Sequence, residues 1–256
     1  MQYALYDIES ASLKGGICEL AVGYVDTSIK GKIKMDVIRC KPDRGITFEA
    51  MGTHFITRAD VTDKPLFKET DTAAEFTKFT ANKDNIVIGY NNSTFDDIIV
   101  QAESDVKLKC KKIDLYRVLE HMRFEDTEDK HQWPDNIKLP TVYFWSGAYR
   151  LFDKKKSMYG VDELIPHQAQ SDIIMTHLIM SAIISKFKLK TADLIKYTYL
   201  PIIFEVFPIG KHKGIPIQDI IGRDKGYIDW CLKTMSGDLL ESIKHHQKLL
   251  DQQKKK

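Results

Sequence analysis

Asp7 and Glu9 stand two residues apart in Tyr3-Ala4-Leu5-Tyr6-Asp7-Ile8-Glu9, a short aromatic and apolar run. Side chains alternate across a pleated strand, so a strand here would project both carboxylates from one face, roughly 6.6 Å apart along the backbone. Two such groups can share a hard divalent cation. Mg²⁺ suits the role because it takes oxygen ligands and keeps waters that leave room for a substrate phosphate. Asp-x-Glu arises by chance about once in a chain of this length, and a solvated edge strand explains it equally well.

Two further groups add to the pair. In Gly89-Tyr90-Asn91-Asn92-Ser93-Thr94-Phe95-Asp96 an apolar run ends in a polar turn, and Asp96 opens a helical pattern. Asp96 fits a helix cap; it also fits a ligand position beyond a strand end, where α/β sheets place their sites. Asp97 reads as a first-turn acid offsetting the helix dipole. In His167-Gln168-Ala169-Gln170-Ser171-Asp172, two helical residues at this spacing would lie about 140° apart. His167 is therefore expected in the loop after Pro166, with Asp172 in the first turns of the next helix. An imidazole with a pKa of about 6.5 can accept a proton from water at neutral pH, although a histidine before a helix is most often structural or solvent-facing.

The elements that must position these residues follow from periodicity. Tyr3 to Glu9, Ile17 to Val25 and Ile33 to Cys40 read as consecutive strands, separated by Gly15-Gly16 and by a polar turn around Lys30-Gly31. Helical spacing runs over Thr70 to Ala81, Phe95 to Glu103 and Leu115 to Met122, with strands at Ile86 to Gly89 and Lys112 to Leu115. The pattern predicts an α/β fold whose mixed sheet begins as an antiparallel meander and continues through crossover units. Glu125 to Leu139 is expected to be an exposed loop. Ile173 to Phe187 is too apolar for a free surface helix and should pack on the sheet. Pro201, Pro208, Gly210, Gly214, Pro216, Gly222 and Gly226 crowd together later, which predicts a domain at 1–188 and a small turn-rich module at 189–256.

At 256 residues and 43% hydrophobic content the chain can bury one full core with length left for an appendage. Its 38 basic and 36 acidic residues leave a net charge of +2, so function must be read from local clusters. The four cysteines are scattered without metal-ligand spacing, which argues for reduced thiols and against a structural zinc or disulfides. No signal segment or apolar run of bilayer length is evident, so a cytoplasmic protein with no membrane partner is expected; the Lys-rich, Cys-poor composition suits a bacterial or phage-infected cell. Lys254 to Lys256 is a basic tail.

The order of these motifs, Asp-x-Glu on the first strand, Phe95-Asp96 opening a mid-chain helix and His-x-x-x-x-Asp entering the last core helix, resembles the DEDDh 3′→5′ exonucleases, which share a ribonuclease-H-like fold. Lys14 to Ala21, Arg39 to Arg44, His54-Phe55-Ile56-Thr57 and the segments Phe207 to Gly214 and Asp224 to Trp230 also look like members of that family. Asn91 and Ser10 depart from its pattern, and Asp105 to Gly160 matches least. The resemblance implies a five-stranded mixed sheet flanked by helices. It also implies two Mg²⁺ ions, replaceable by Mn²⁺, on Asp7, Glu9, Asp96 and Asp172, with His167 activating the attacking water.

The expected function is removal of nucleoside 5′-monophosphates from DNA 3′ ends, with DNA preferred over RNA; an exoribonuclease or a non-catalytic nucleic-acid-binding protein are the alternatives. Substrate-binding candidates are His54, Asn92, Gly15 and Gly16, where an ordinary hairpin turn is an equal explanation for the glycines. Lys211 and Lys213, interleaved with Tyr227 and Trp230, offer phosphate attraction and stacking, although charged turns are more often simply solvated. The Lys107 to Lys112 cluster reads as a solvated face.

Overall fold

The computed structural model describes residues 2–26 and 33–254; the expected turn at Lys30-Gly31 and the end of the basic tail lie outside them. Five strands, β1 (Gln2–Ser12), β2 (Gly15–Asp26), β3 (Lys34–Arg39), β4 (Ile86–Gly89) and β5 (Lys111–Asp114), form one sheet in the order β3-β2-β1-β4-β5. The pairs β1/β2 and β2/β3 are antiparallel, while β1/β4 and β4/β5 are parallel. This is the mixed sheet that the strand and helix periodicities predict.

Helices α1 (Phe48–His54), α2 (Arg58–Val61) and α3 (Asp71–Thr80) precede β4, and α4 (Asp96–Ser104) follows it. Then come α5 (Leu115–Glu125), α6 (Leu139–Trp145), α7 (Tyr149–Tyr159), α8 (Ala169–Phe187) and α9 (Thr191–Tyr199). The last three are α10 (Ile217–Arg223), α11 (Lys225–Thr234) and α12 (Gly237–Lys254). No described helix is long and apolar enough to cross a membrane.

β1 is central and buries both faces, as its alternation requires. Ala4, Tyr6 and Ile8 join Phe76, Val87 and Val100 on one side, while Leu5 joins Ile173, Ile174 and Leu178 on the other. α8 has so little polar surface because it is the layer covering that second face. Burying Ile173, Ile174, Leu178, Ile179 and Ile183 contributes on the order of 10 kcal/mol as an upper estimate. The face of Leu5 is also that of Asp7 and Glu9, so the α8 packing that stabilises the sheet brings a helix start toward the two acids.

The segment between α5 and α6 has no regular structure, as its composition predicts, yet it is held in place. Trp133 stacks on Trp145 at 4.5 Å between ring centroids, and its indole N–H donates to Asp126. The helices α6 and α7 were not expected; α6 has Pro140 in its first turn, where the absent N–H costs nothing.

The chain divides into two compact units, 1–198 and 199–256. The division falls later than the expected 188/189 because α9 belongs to the first unit, where Leu194 lies in the core. The second unit is turn-rich only in its first part: Gly210 and Gly214 adopt φ of +83° in a turn closed by Gly214 N–H to Phe207 O at 2.8 Å. From Ile217 onward it is helical, correcting the expectation for that half. Ile217, Ile220, Ile228, Cys231, Leu239 and Ile243 close around Phe207 into a separate core.

Candidate active site

One oxygen from each of Asp7, Glu9 and Asp172 lies within 4.8 Å of the others. Asp7 and Glu9 arrive on alternate positions of β1, and Asp172 in the first turn of α8. Asp172 is held there because Gln168 ends its extended segment at the helix start and accepts the Asp172 N–H at 3.0 Å. Glu9 and Asp172 are buried and Asp7 half-buried.

Asp96 approaches along the edge of β1 that faces β4. β4 pairs with β1 only as far as Leu5, and the Ile8 N–H beyond it donates to Asp96 Oδ1 at 3.1 Å. Asp96 thus occupies a ladder position vacated by a strand, in the first turn of α4, outside the tight trio. Its charge still reaches the trio and is the largest electrostatic influence on Asp7.

The loop carrying Asp96 is fixed by Asp114, which also caps α5 by accepting the Tyr116 N–H at 3.1 Å, and by Asn92. Asp114 accepts from the backbone N–H groups of Asn91 at 2.8 Å and Ser93 at 3.1 Å, which lets Asn91 hold φ of +66°. Asn92 is buried and donates through its amide to Tyr6 O at 3.1 Å. A Cβ on Gly89 would meet the Asn92 side chain at 2.0 Å, so glycine there is what allows Asn92 to reach β1. Asp114 was missed in the sequence; its place between a short strand and a helix start is the signal that could have found it.

Burial pushes Asp7 well above the usual carboxylate range, reinforced by the charges of Asp96, Asp172 and Glu9. Burial, then Asp172 and Glu19, raise Glu9 to about 8. Asp172 rises to about 7 through burial, opposed by the His167 backbone N–H, and Asp96 to about 7 through burial, opposed by the Ile8 N–H. Asp172 Oδ1 is buried without a hydrogen-bond partner among the described residues. Clustered oxygens that destabilise one another, one of them left unsatisfied, fit a divalent cation: it would satisfy the orphan oxygen and favour the ionised forms.

His167 sits in the loop before α8, as its spacing from Asp172 predicts, with φ of +62°. Its imidazole is exposed and makes no hydrogen bond or ion pair among the described residues. His54 is buried, and its two nitrogens are committed: Nδ1 accepts the Ile56 N–H at 3.0 Å, leaving Nε2 to donate to Ser10 O at 3.2 Å. It pins the end of α1 beside the residue following Glu9. Gly15 and Gly16 shape a tight hairpin with φ of +110° and +88°, and the N–H groups of Gly16 and Ile17 both donate to Glu103 at 2.7 and 2.9 Å. Leu13, at the tip of that hairpin, is 90% exposed.

A cavity of about 310 Å³ opens beside Glu9, lined among others by Ser10, Leu13, Thr53, His54 and Phe95. Its wall is mostly apolar, which suits the flat face of a base. In the second unit, Lys211 pairs with Asp224 at 2.9 Å, Lys213 is exposed, and Trp230 is 48% exposed beside Tyr227.

The exonuclease (RNase T) family model matches residues 5–180. Exodeoxyribonuclease 10 of Escherichia coli K12 is 24% identical over 94% of this chain and 97% of its own length. Among solved structures, Escherichia coli exonuclease I in complex with a dA16 oligonucleotide superposes with a TM-score of 0.53 at 18% identity, covering 77% of this chain and 43% of that one. Exonuclease I of Methylocaldum szegediense gives 0.52 at 17%, over 77% and 42%. These likenesses establish a shared fold. Together with a match spanning both ends of the carboxylate cluster, they make the chain a member of the exonuclease family, a metal-dependent nuclease whose acidic cluster is assembled from β1 and α8.

Proposed function

We propose that this protein is a 3′→5′ exodeoxyribonuclease that releases nucleoside 5′-monophosphates from DNA 3′ ends, in DNA repair, degradation or replication. The observation that carries the reading is the convergence of Asp7, Glu9 and Asp172, with its unpartnered Oδ1, beside the cavity at Glu9. The preference for DNA rests on the likeness, over nearly the full length of both chains, to exodeoxyribonuclease 10.

Asp7, Glu9, Asp172 and Asp96 are the residues that would hold two Mg²⁺ ions, with Mn²⁺ as a substitute. Bound there, the ions supply a more acidic water and stabilisation of the leaving 3′ oxygen. His167, whose exposed imidazole makes no hydrogen bond among the described residues, takes the proton from the attacking water. The terminal base enters the cavity against Phe95 and Leu13, and the hairpin at Gly15-Gly16 holds Leu13 at its rim. His54 contributes by fixing the wall of that cavity, and Asn92 by holding the Asp96 loop to β1. Residues 199–256 act as a nucleic-acid-binding module in which Lys213 and Lys211 attract phosphates and Trp230 offers a stacking surface.

The test is hydrolysis of a 5′-labelled single-stranded DNA oligonucleotide beside RNA of the same sequence, with Mg²⁺ or EDTA. A Mg²⁺-dependent ladder shortening from the 3′ end, faster on DNA and absent in Asp172→Ala, is the expected result. A faster RNA ladder would reassign the substrate, and retained binding with no ladder on either polymer would refute catalysis.

A further inference from the structure

Phe55 closes α1 in the left-handed conformation, with φ of 59° and ψ of 13°, its N–H donating to Met51 O at 2.9 Å. Helix ends of this type favour glycine, because a Cβ is strained there, and a bulky residue in this conformation is an outlier. Glycine would make the same backbone bond. The Phe55 side chain offers the fold little in return, since it is 81% exposed. A strained residue without a packing role points to a role toward a ligand.

Its surroundings say which ligand. His54, the preceding residue, is bonded to the carbonyl of Ser10, so Phe55 follows directly on a residue fixed beside Glu9. Phe48 opens the same helix two turns earlier and is 79% exposed. Phe48 and Phe55 stand at the two ends of α1, about 10 Å apart along its axis. Gly52 lies between them, and a Cβ there would meet nothing within 4 Å among the described residues, so the helix surface there is open. The Arg58 guanidinium, which donates to Ile46 O at 3.1 Å, lies 5.9 Å from the centre of the Phe48 ring. Exposed rings alternating with open backbone and bordered by a cation match what a single strand of nucleic acid requires: stacking platforms for bases and a counter-charge for phosphate.

We propose that Phe48 and Phe55 form a stacking face for the unpaired bases upstream of the 3′ terminal nucleotide, which makes this end of the enzyme select for single-stranded substrate several nucleotides long. The proposal rests on the exonuclease reading above for its placement next to the scissile end. It assigns the two rings to substrate holding and leaves the chemistry to the carboxylates.

The test compares wild type, Phe55→Gly, Phe48→Ala and the double variant on two substrates. One is a labelled single-stranded DNA 20-mer; the other is the p-nitrophenyl ester of thymidine 5′-monophosphate, which has no upstream base. Phe55→Gly should raise KM for the 20-mer about fivefold or more, since stacking on one aromatic ring is worth roughly 1–3 kcal/mol per base. The kcat for both substrates should stay unchanged, as should KM for the ester. The melting temperature should hold or rise, because glycine relieves the backbone strain. Abasic sites upstream of the terminal nucleotide should erase the difference between wild type and variant. An unchanged KM for the 20-mer, or equal losses on ester and 20-mer, would overturn the proposal. Should wild type cleave neither substrate, the exonuclease reading fails by itself. Fluorescence anisotropy of the labelled 20-mer then decides the stacking face, and equal Kd for wild type and the double variant would refute it.

Discussion

The two faces of β1 each carry a buried acidic group, and the molecule treats them in opposite ways. On one face Asp97 is satisfied by the protein itself: Lys112 Nζ lies 2.5 Å from Oδ2, and the Tyr6 hydroxyl donates to Oδ1. On the other face Asp7, Glu9 and Asp172 converge with one oxygen unpartnered, and burial with mutual repulsion dominates their protonation. Adjacent residues in the chain, Asp96 and Asp97, belong to opposite sides of this division. A cation from the chain finishes one cluster as structure; the other is left open to a cation from solution, at a cost in stability that function explains.

Neutralising the open cluster gives the largest effect. Asp7→Asn should lower kcat at saturating Mg²⁺ by at least about a hundredfold, because the interactions lost are worth several kcal/mol in the transition state. In EDTA at pH 8 the same variant should melt higher than wild type, since one repelling buried charge is gone. Asp97→Asn should do the reverse, costing about 3 kcal/mol of stability because Lys112, only 24% exposed, loses its counter-ion. Urea denaturation of both variants checks the contrast; two variants that destabilise alike would erase it.

The pH response sharpens the same contrast. The folded-state pKa of Glu9 is raised to about 8 and those of Asp96 and Asp172 to about 7. Between pH 4 and these values the folded protein binds more protons than the unfolded chain, so stability falls as pH rises. Metal-free protein should therefore melt progressively lower from about pH 5 to 8, and added Mg²⁺ should flatten or invert that trend through binding to the ionised cluster. A melting temperature in EDTA that climbs over this range would contradict the assignment.

Smaller effects are expected at the supports. Gly89→Ala should cost about 2 kcal/mol by driving Asn92 off β1, with kcat falling roughly tenfold as the Asp96 loop shifts. Glu103→Ala, which leaves the Gly16 and Ile17 N–H groups without their acceptor, should cost about 1 kcal/mol. Its activity should drop less than that of Gly89→Ala, and steady-state kinetics with thermal melts orders the two.

The positions of the carboxylates were legible in the sequence because each sits at an element boundary or on a strand alternation that local pattern reveals, while their role as ligands came only from the motif order that resembles the exonuclease family. Asp7 and Glu9 needed only a period of two, and Asp172 only the onset of an apolar helix. The Asp97–Lys112 pair was not legible: it depends on how β5 registers against β4, which no local window contains, so Lys112 read as one of a solvated group. The second unit read as turns because its glycines and prolines dominate the count, although Ile217, Ile220, Ile228 and Cys231 recur at helical spacing. Phe55 was legible as part of His-x-Ile-Thr, while its left-handed backbone was not, since nothing in a phenylalanine announces it. The strand, helix and acid positions follow from local chemistry; the counter-charges and supports follow from tertiary pairing.

The most direct measurement is calorimetric titration of Mn²⁺ into metal-free wild type, Asp172→Asn and Asp97→Asn at pH 8. Wild type and Asp97→Asn should bind the metal, with proton release from the raised carboxylates detectable as a buffer-dependent heat, while Asp172→Asn should bind at least about tenfold more weakly. Equal affinity in wild type and Asp172→Asn would show that the cation is held elsewhere, and the account of the open cluster would be wrong.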